Sequence, residues 1–213
     1  MRKSSLVEKR VYHVFNKSIA GYTIFNDYRE FNRVLGAICF YQVLNKNISF
    51  ADSVRTSKEK NEKFSIKGKK LVEIVAYCLM PTHFHLILEQ LEDKGVSVFM
   101  QNLQNSYARY FNLRHKRKGP LWEGTFKYVA IESDEQLLHM TRYVHLNPVT
   151  AYIVDNPENW PMSSYIEYVS EKSNKICRHD HLFEIDAGSY RLFVNDNIAY
   201  QRDLAKIKRL MFD

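Results

Sequence analysis

The stretch Leu71-Val72-Glu73-Ile74-Val75-Ala76-Tyr77-Cys78-Leu79-Met80 constrains the fold more than any other. It is nearly all apolar, yet well short of the ~18 residues that a membrane span requires. A run this short and this continuous reads as a central strand covered on both faces. Pro81 and Thr82 punctuate it, and His83 to Glu89 follows as a second strand. Successive strand residues point to opposite sides, so Phe84, Leu86 and Leu88 share a core-facing side while His83 and His85 share the other.

The flanking sequence supplies partners and cover for these strands. Residues 9 to 16, KRVYHVFN, are β-branched and aromatic and alternate in part, as a first strand does. Asn26 or Asp27 can cap a helix whose apolar positions Phe31, Val34, Leu35, Ile38 and Tyr41 recur at three- and four-residue spacing to about Leu44. Residues 51 to 70 are polar and lysine-rich and read as an exposed, solvated loop. A long amphipathic helix with Phe99, Leu103, Tyr107, Tyr110 and Phe111 on one stripe ends in the basic cluster Arg114 to Lys118, before Gly119 and Pro120. Residues 121 to 132 resemble a strand reached through a turn. Ser133 then caps a helix, with Glu135 or Gln136 near the reciprocal capping position, that runs through Tyr143 until Pro148 stops it. Past a turn with Pro157 and Pro161 come the short segment SSYIEYV and a final helix from about Ile198 to Met211. The order β-α-β-β-α-β-α predicts an α+β fold: a ferredoxin-like antiparallel sheet with packed helices.

Composition narrows the partners. Among 213 residues, 31 Lys and Arg stand against 24 Asp and Glu, and the formal charge of +7 favours a polyanion. The 14 Tyr and 13 Phe offer stacking faces for single-stranded nucleic acid, although most such rings serve a core. Cys39, Cys78 and Cys177 are odd in number and far apart, which argues against a disulfide framework or a four-thiolate zinc site and fits a reducing cytoplasm. The N-terminus carries mixed charge and the chain lacks a membrane-spanning run, so a cytoplasmic protein with no membrane partner is expected.

Two constellations can do chemistry. Imidazoles at i and i+2 of a strand form half of a metal site, each offering a neutral nitrogen, although such a pair by itself is more often structural. Histidine-triad chemistry wants a third histidine where Ile87 stands, and zinc proteases want two histidines one helical turn apart. The second constellation is Arg142-Tyr143-Val144-His145-Leu146-Asn147-Pro148, in which Tyr143 and Asn147 share a helical face beside the stripe Leu137, Met140, Thr141 and Val144. Taken alone, that tyrosine is a boundary residue with its ring sheltered and its hydroxyl free. Tyr107 competes with it as a nucleophile, but its place on an apolar stripe reads as core. His139 lies one turn before Tyr143, while His145 points away by helical phase.

Together these blocks resemble the single-tyrosine HUH transposases (IS200-like), and most closely the REP-associated tyrosine transposases. Tyr12-His13-Val14-Phe15-Asn16 resembles the family's opening strand, Ala76 to Leu86 its metal-site strands, and Phe99 through Asn112 its middle helix. Gly119 to Lys127 resembles its Gly-x-x-Trp-Glu-Gly segment, and Arg142 to Pro148 its nucleophile helix. The match spans roughly residues 9 to 168. It departs at Asn16-Lys17-Ser18, where the family has Asn-Arg-Gly, and at Thr125-Phe126-Lys127-Tyr128, where the family tends to Arg-Tyr-Lys-Ser.

The resemblance implies an HUH domain over residues 1–168 and a small helical extension over 169–213. It implies Tyr143 as the nucleophile, His83 and His85 as metal ligands with Asn147 as a third, and Mg²⁺ or Mn²⁺ as the cofactor. The implied activity is cleavage and rejoining of single-stranded or hairpin DNA through a 5′-phosphotyrosine, with no nucleotide cofactor and with a homodimer allowed. Arg109, Arg114, Lys116, Arg117, Lys118 and Lys127 are the candidate DNA contacts. Two alternatives stand beside this: a domesticated DNA-binding protein that recognises hairpins without cutting, and a metal-dependent phosphodiesterase that forms no protein adduct.

Overall fold

The computed structural model describes residues 5–44, 48–60, 68–170 and 176–212, and in 57–60 and 208–212 the backbone alone. Its sheet is built from β1 (Val11–Lys17), β2 (Val72–Met80), β3 (His83–Gln90) and β4 (Lys127–Ile131) in the order β2-β3-β1-β4, every pair antiparallel. This is the ferredoxin-like arrangement that the sequence predicts. β2 and β3 are buried almost throughout, as their apolar runs require.

Helices α1 (Tyr28–Tyr41) and α3 (Gly95–Arg114) lie on the sheet face that carries Tyr12, Val14, Phe84 and Leu86. Asp27 caps α1 by accepting from the Glu30 backbone N–H at 3.0 Å. Tyr107 sits in this layer, 1% exposed, its hydroxyl donating to the Ile24 carbonyl at 2.5 Å. The other face receives α4 (Asp134–Thr150). Ser133 accepts from the Gln136 N–H at 3.1 Å, and Gln136 Oε1 accepts from the Glu132 N–H at 2.7 Å, a reciprocal cap displaced by one residue.

The structure corrects three local expectations. The polar stretch after residue 49 is not a loop throughout: α2 (Phe50–Lys60) forms there, anchored by Phe50 against Phe40 and Tyr41 and started by a Ser49 hydroxyl that accepts from the Asp52 N–H. Residues 61–67 of that stretch lie outside the described residues. Pro148 does not stop α4, which continues to Thr150. Proline leaves the Val144 carbonyl without its helical N–H; the Asn147 side-chain amide stands 3.5 Å from it, and the ladder resumes with Ala151 N–H donating to Asn147 O at 2.9 Å. Finally, the strand expected over 121–132 is regular only over β4; upstream, pairing is limited to a Ser18–Trp122 bridge.

The remaining helices are α5 (Tyr165–Val169), α6 (Ala187–Asn195) and α7 (Ile198–Phe212). Before them the chain runs beside the outer edge of β2, where Leu79 N–H donates to Met162 O and Ser164 N–H to Tyr77 O, both at 2.9 Å. These contacts cover an apolar edge that would otherwise recruit another strand.

Candidate active site

The β1–β3 register decides which side chains meet. Lys17 lies opposite His83, Phe15 opposite His85 and His13 opposite Ile87, and directly paired residues share a face. That face looks toward α4, where Tyr143 and Asn147 stand one turn apart. Phe15, Asn16, Lys17, His83, His85, Glu123, Lys127, Tyr143 and Asn147 line a single cavity of about 310 Å³.

Within it the Tyr143 ring stands edge-on to His85, with centroids 5.7 Å apart, and edge-on to His13 at 5.9 Å. Tyr143 is 38% exposed, so its ring is sheltered while the side chain still reaches solvent. Burial raises its hydroxyl pKa above the ordinary phenol value, and the Asn147 amide opposes that shift. The phenol is therefore protonated at neutral pH, and using it as a nucleophile requires removing its proton.

The imidazoles are held neutral. Burial lowers the pKa of His83, with Lys17 adding to the effect; burial lowers that of His85 far more, with His13 and His83 adding. Burial alone pushes His13 down to about 4. Each cavity histidine has one nitrogen engaged: His83 Nδ1 lies 3.0 Å from the Thr82 hydroxyl, and His85 Nδ1 lies 2.9 Å from His13 Nε2. The Asn147 amide nitrogen donates to the Tyr143 carbonyl at 2.9 Å, leaving its oxygen uncommitted among the described residues.

This donor set fits a divalent cation: two neutral imidazoles with one nitrogen each in reserve, and an amide oxygen beside them. Among the described residues no cluster of three or more His, Cys, Asp or Glu is arranged to hold a metal, and the Asn147 amide oxygen is a neutral oxygen donor beside the two imidazoles.

The cationic candidates scatter. Lys127 lines the cavity, but Arg109 lies on the other side of the sheet, in a cleft with Arg33 and Tyr110. Arg114 is committed to Asp27 at 2.5 Å and to the buried Glu30 at 3.2 Å, tying α3 to α1. Arg117 braces the following turn by donating to Asn112 Oδ1 at 3.0 Å and the Pro120 carbonyl at 2.7 Å, while Lys116 and Lys118 are exposed. His139 is engaged by Arg142 at 2.8 Å, outside the cavity. His145 is buried, accepting or donating at Tyr190 and Ser164, as its helical phase predicts.

Sequence reasoning missed three participants: His13, Lys17 and Glu123. Lys17 and Glu123 form an ion pair of 3.2 Å on the cavity wall. Only strand register could have revealed His13.

The chain is similar to known proteins in sequence and in fold. The family described as "Transposase IS200 like" matches residues 45–147. A curated Haemophilus influenzae protein named for the REP-associated tyrosine transposases is 27% identical over 103 residues, covering 44% of this chain and 58% of its own length. The chain thus matches little more than half of that relative. A solved structure of a REP-associated tyrosine transposase bound to a REP hairpin superposes with a TM-score of 0.54 at 16% identity, covering 88% of this chain and 94% of the other. That likeness establishes the shared fold.

Proposed function

We propose, from the match of residues 45–147 to the family described as "Transposase IS200 like", that the chain cleaves and rejoins single-stranded DNA, hairpin-flanked where it is recognised, with Tyr143 as nucleophile. One observation carries the reading: Tyr143 and Asn147, on one face of α4, share a cavity with His83 and His85 from β3.

In the proposed step the Tyr143 oxygen forms a bond to phosphorus, the bond from phosphorus to the 3′ oxygen breaks, and the phenolic proton passes to water. The departing oxygen takes up a proton and leaves as a 3′-hydroxyl. His83, His85 and the Asn147 oxygen would hold Mg²⁺ or Mn²⁺, whose charge would polarise a non-bridging phosphate oxygen. The burial that keeps both imidazoles neutral also keeps them fit for coordination. Lys17 and Lys127 on the cavity wall offer charge to the DNA backbone. Because the phosphotyrosine keeps the reactivity of a diester, the oxygen of a second 3′-hydroxyl can bond to phosphorus as the bond to the Tyr143 oxygen breaks. The hydroxyl proton passes to water and the phenol takes one up, so that the strand is resealed without nucleotide hydrolysis. The REP hairpin bound by the structural neighbour is the motive for choosing a hairpin substrate.

The test is incubation of labelled single-stranded hairpin DNA with the protein and Mn²⁺, followed by denaturing electrophoresis. A denaturation-resistant adduct is expected, falling by at least about a thousandfold in Tyr143→Phe and strongly in His83→Ala. Cleavage that survives Tyr143→Phe would instead indicate a phosphodiesterase, and tight binding without cleavage a DNA-recognition protein.

A further inference from the structure

His13 lies on β1, 6% exposed, and reaches diagonally across to His85. The two rings lie edge to edge with centroids 5.1 Å apart and planes 16° from parallel, and the Nε2–Nδ1 separation is 2.9 Å. A nitrogen–nitrogen contact this short is a hydrogen bond only when one nitrogen carries hydrogen and the other a lone pair. Two neutral imidazoles can satisfy it in two ways. Either His85 Nδ1–H donates to His13 Nε2, which leaves a lone pair on His85 Nε2, or the reverse holds and His85 Nε2 carries the hydrogen. Only the first leaves the nitrogen that a cation needs.

We propose that His13 is a positioning residue that holds His85 as the Nδ1–H tautomer and so presents its Nε2 lone pair to the divalent cation. The inference rests on the metal site of the preceding section. Metal-bound histidines usually donate their second N–H to a carboxylate, carbonyl or water, which fixes ring and tautomer. Here a neutral imidazole takes that place. It accepts the hydrogen without adding charge to a buried site, and its own ring is fixed by stacking on Phe15 at 5.0 Å and by the edge of Tyr143. His13 therefore bridges ligand and nucleophile, holding His85 by a hydrogen bond while packing against the Tyr143 ring.

The test uses the full chain without DNA. Long-range proton–nitrogen NMR of histidine-labelled protein is expected to show His85 protonated on Nδ1 and bare on Nε2. His13→Phe keeps a stacking ring but removes the acceptor; it should mix the His85 tautomers and weaken Mn²⁺ binding in calorimetry by about 10- to 100-fold. His13→Gln, whose amide oxygen can reach the position of Nε2, should restore most of that affinity even if the Phe variant folds poorly. A wild-type His85 that carries its hydrogen on Nε2 would overturn the proposal. So would wild-type protein that binds no Mn²⁺, or a folded His13→Phe protein with unchanged tautomer and affinity. Since neither measurement involves strand cleavage, absence of a DNA adduct would count against the proposed activity and leave this inference standing.

Discussion

Asn147 answers two demands at once. Its amide nitrogen supports the backbone that Pro148 interrupts, donating to Tyr143 O at 2.9 Å and standing 3.5 Å from Val144 O, while its oxygen is the group that the proposed function assigns to a cation. The two demands separate under substitution. Asn147→Ala should lose both, costing about 1 kcal/mol of stability, or about 2–4 °C of thermal midpoint, together with Mn²⁺ affinity. Asn147→Asp keeps and strengthens the oxygen ligand but offers the two carbonyls no donor, so it should melt lower than wild type while binding Mn²⁺ at least as tightly. Calorimetry of melting and of titration reads both. An Asp variant weaker in both would place Asn147 outside the metal site. That His83 and His85 share a strand face and Tyr143 and Asn147 a helix face was legible in the sequence, because local periodicity fixes it: two residues on a strand, four on a helix. The roles expected of them came from the family resemblance. His13 was not legible in this way. It lies 72 residues from His85, and their contact is a diagonal across a register that only folding sets.

At the scale of elements, α4 is held by arginines at both ends of its C-terminal half. Arg142, beside Tyr143, sits over the Phe193 ring at 4.1 Å, and the Asn197 amide, with its oxygen turned toward it, accepts from Nη2 at 2.8 Å and Nε at 3.0 Å. Arg202 of α7 donates to Val149 O at 3.2 Å, which also accepts from the Tyr152 N–H at 3.1 Å, and to Val154 O at 3.3 Å just past the helix, tying α7 to the end of α4. Arg202→Ala should therefore cost about 1–2 kcal/mol and raise amide hydrogen exchange across residues 145–155, with β1 and β3 unaffected. Unchanged exchange there would mean that α7 rests on α4 without bracing it. Little of this was readable in advance. The polar, lysine-rich stretch that folds as α2 reads as a loop, and the Ser49–Asp52 pair at its start emerges only in the structure. Pro148 read as a helix stop because proline's cost is local and general, whereas the amide that offsets it is particular to this chain. The four strands were legible because continuous apolar runs and alternation are set by burial, which the sequence encodes directly.

For the molecule as a whole, burial of neutral histidines sets the response to acid. His145 is wholly buried between Tyr190, 2.6 Å from Nδ1, and Ser164, 2.7 Å from Nε2, and burial lowers its pKa to about 3. His13, on the sheet beneath α4, falls to about 4. A histidine whose folded pKa is depressed takes up a proton in the unfolded chain first. Its contribution is therefore intact above the unfolded value near 6.5 and is lost as pH falls from there toward the folded value, at up to about 1.4 kcal/mol per pH unit for each group. Asp27 has its folded pKa lowered, chiefly by the Glu30 backbone N–H, so its contribution is held above its ordinary value and lost below it, extending the decline at the acid end. The thermal midpoint should accordingly be level from pH 8 to 7 and fall steadily between about 6.5 and 4. His145→Gln, which cannot charge, should flatten part of that slope even if it lowers the plateau. Because His13 and His145 lie on the sheet side and the C-terminal side of the same helix, acid strains both attachments of α4 together, and unfolding should remain one transition. Two resolved transitions would show that residues 169–213 fold apart from the sheet, and a midpoint level down to pH 4.5 would show that these imidazoles are not buried neutral in solution.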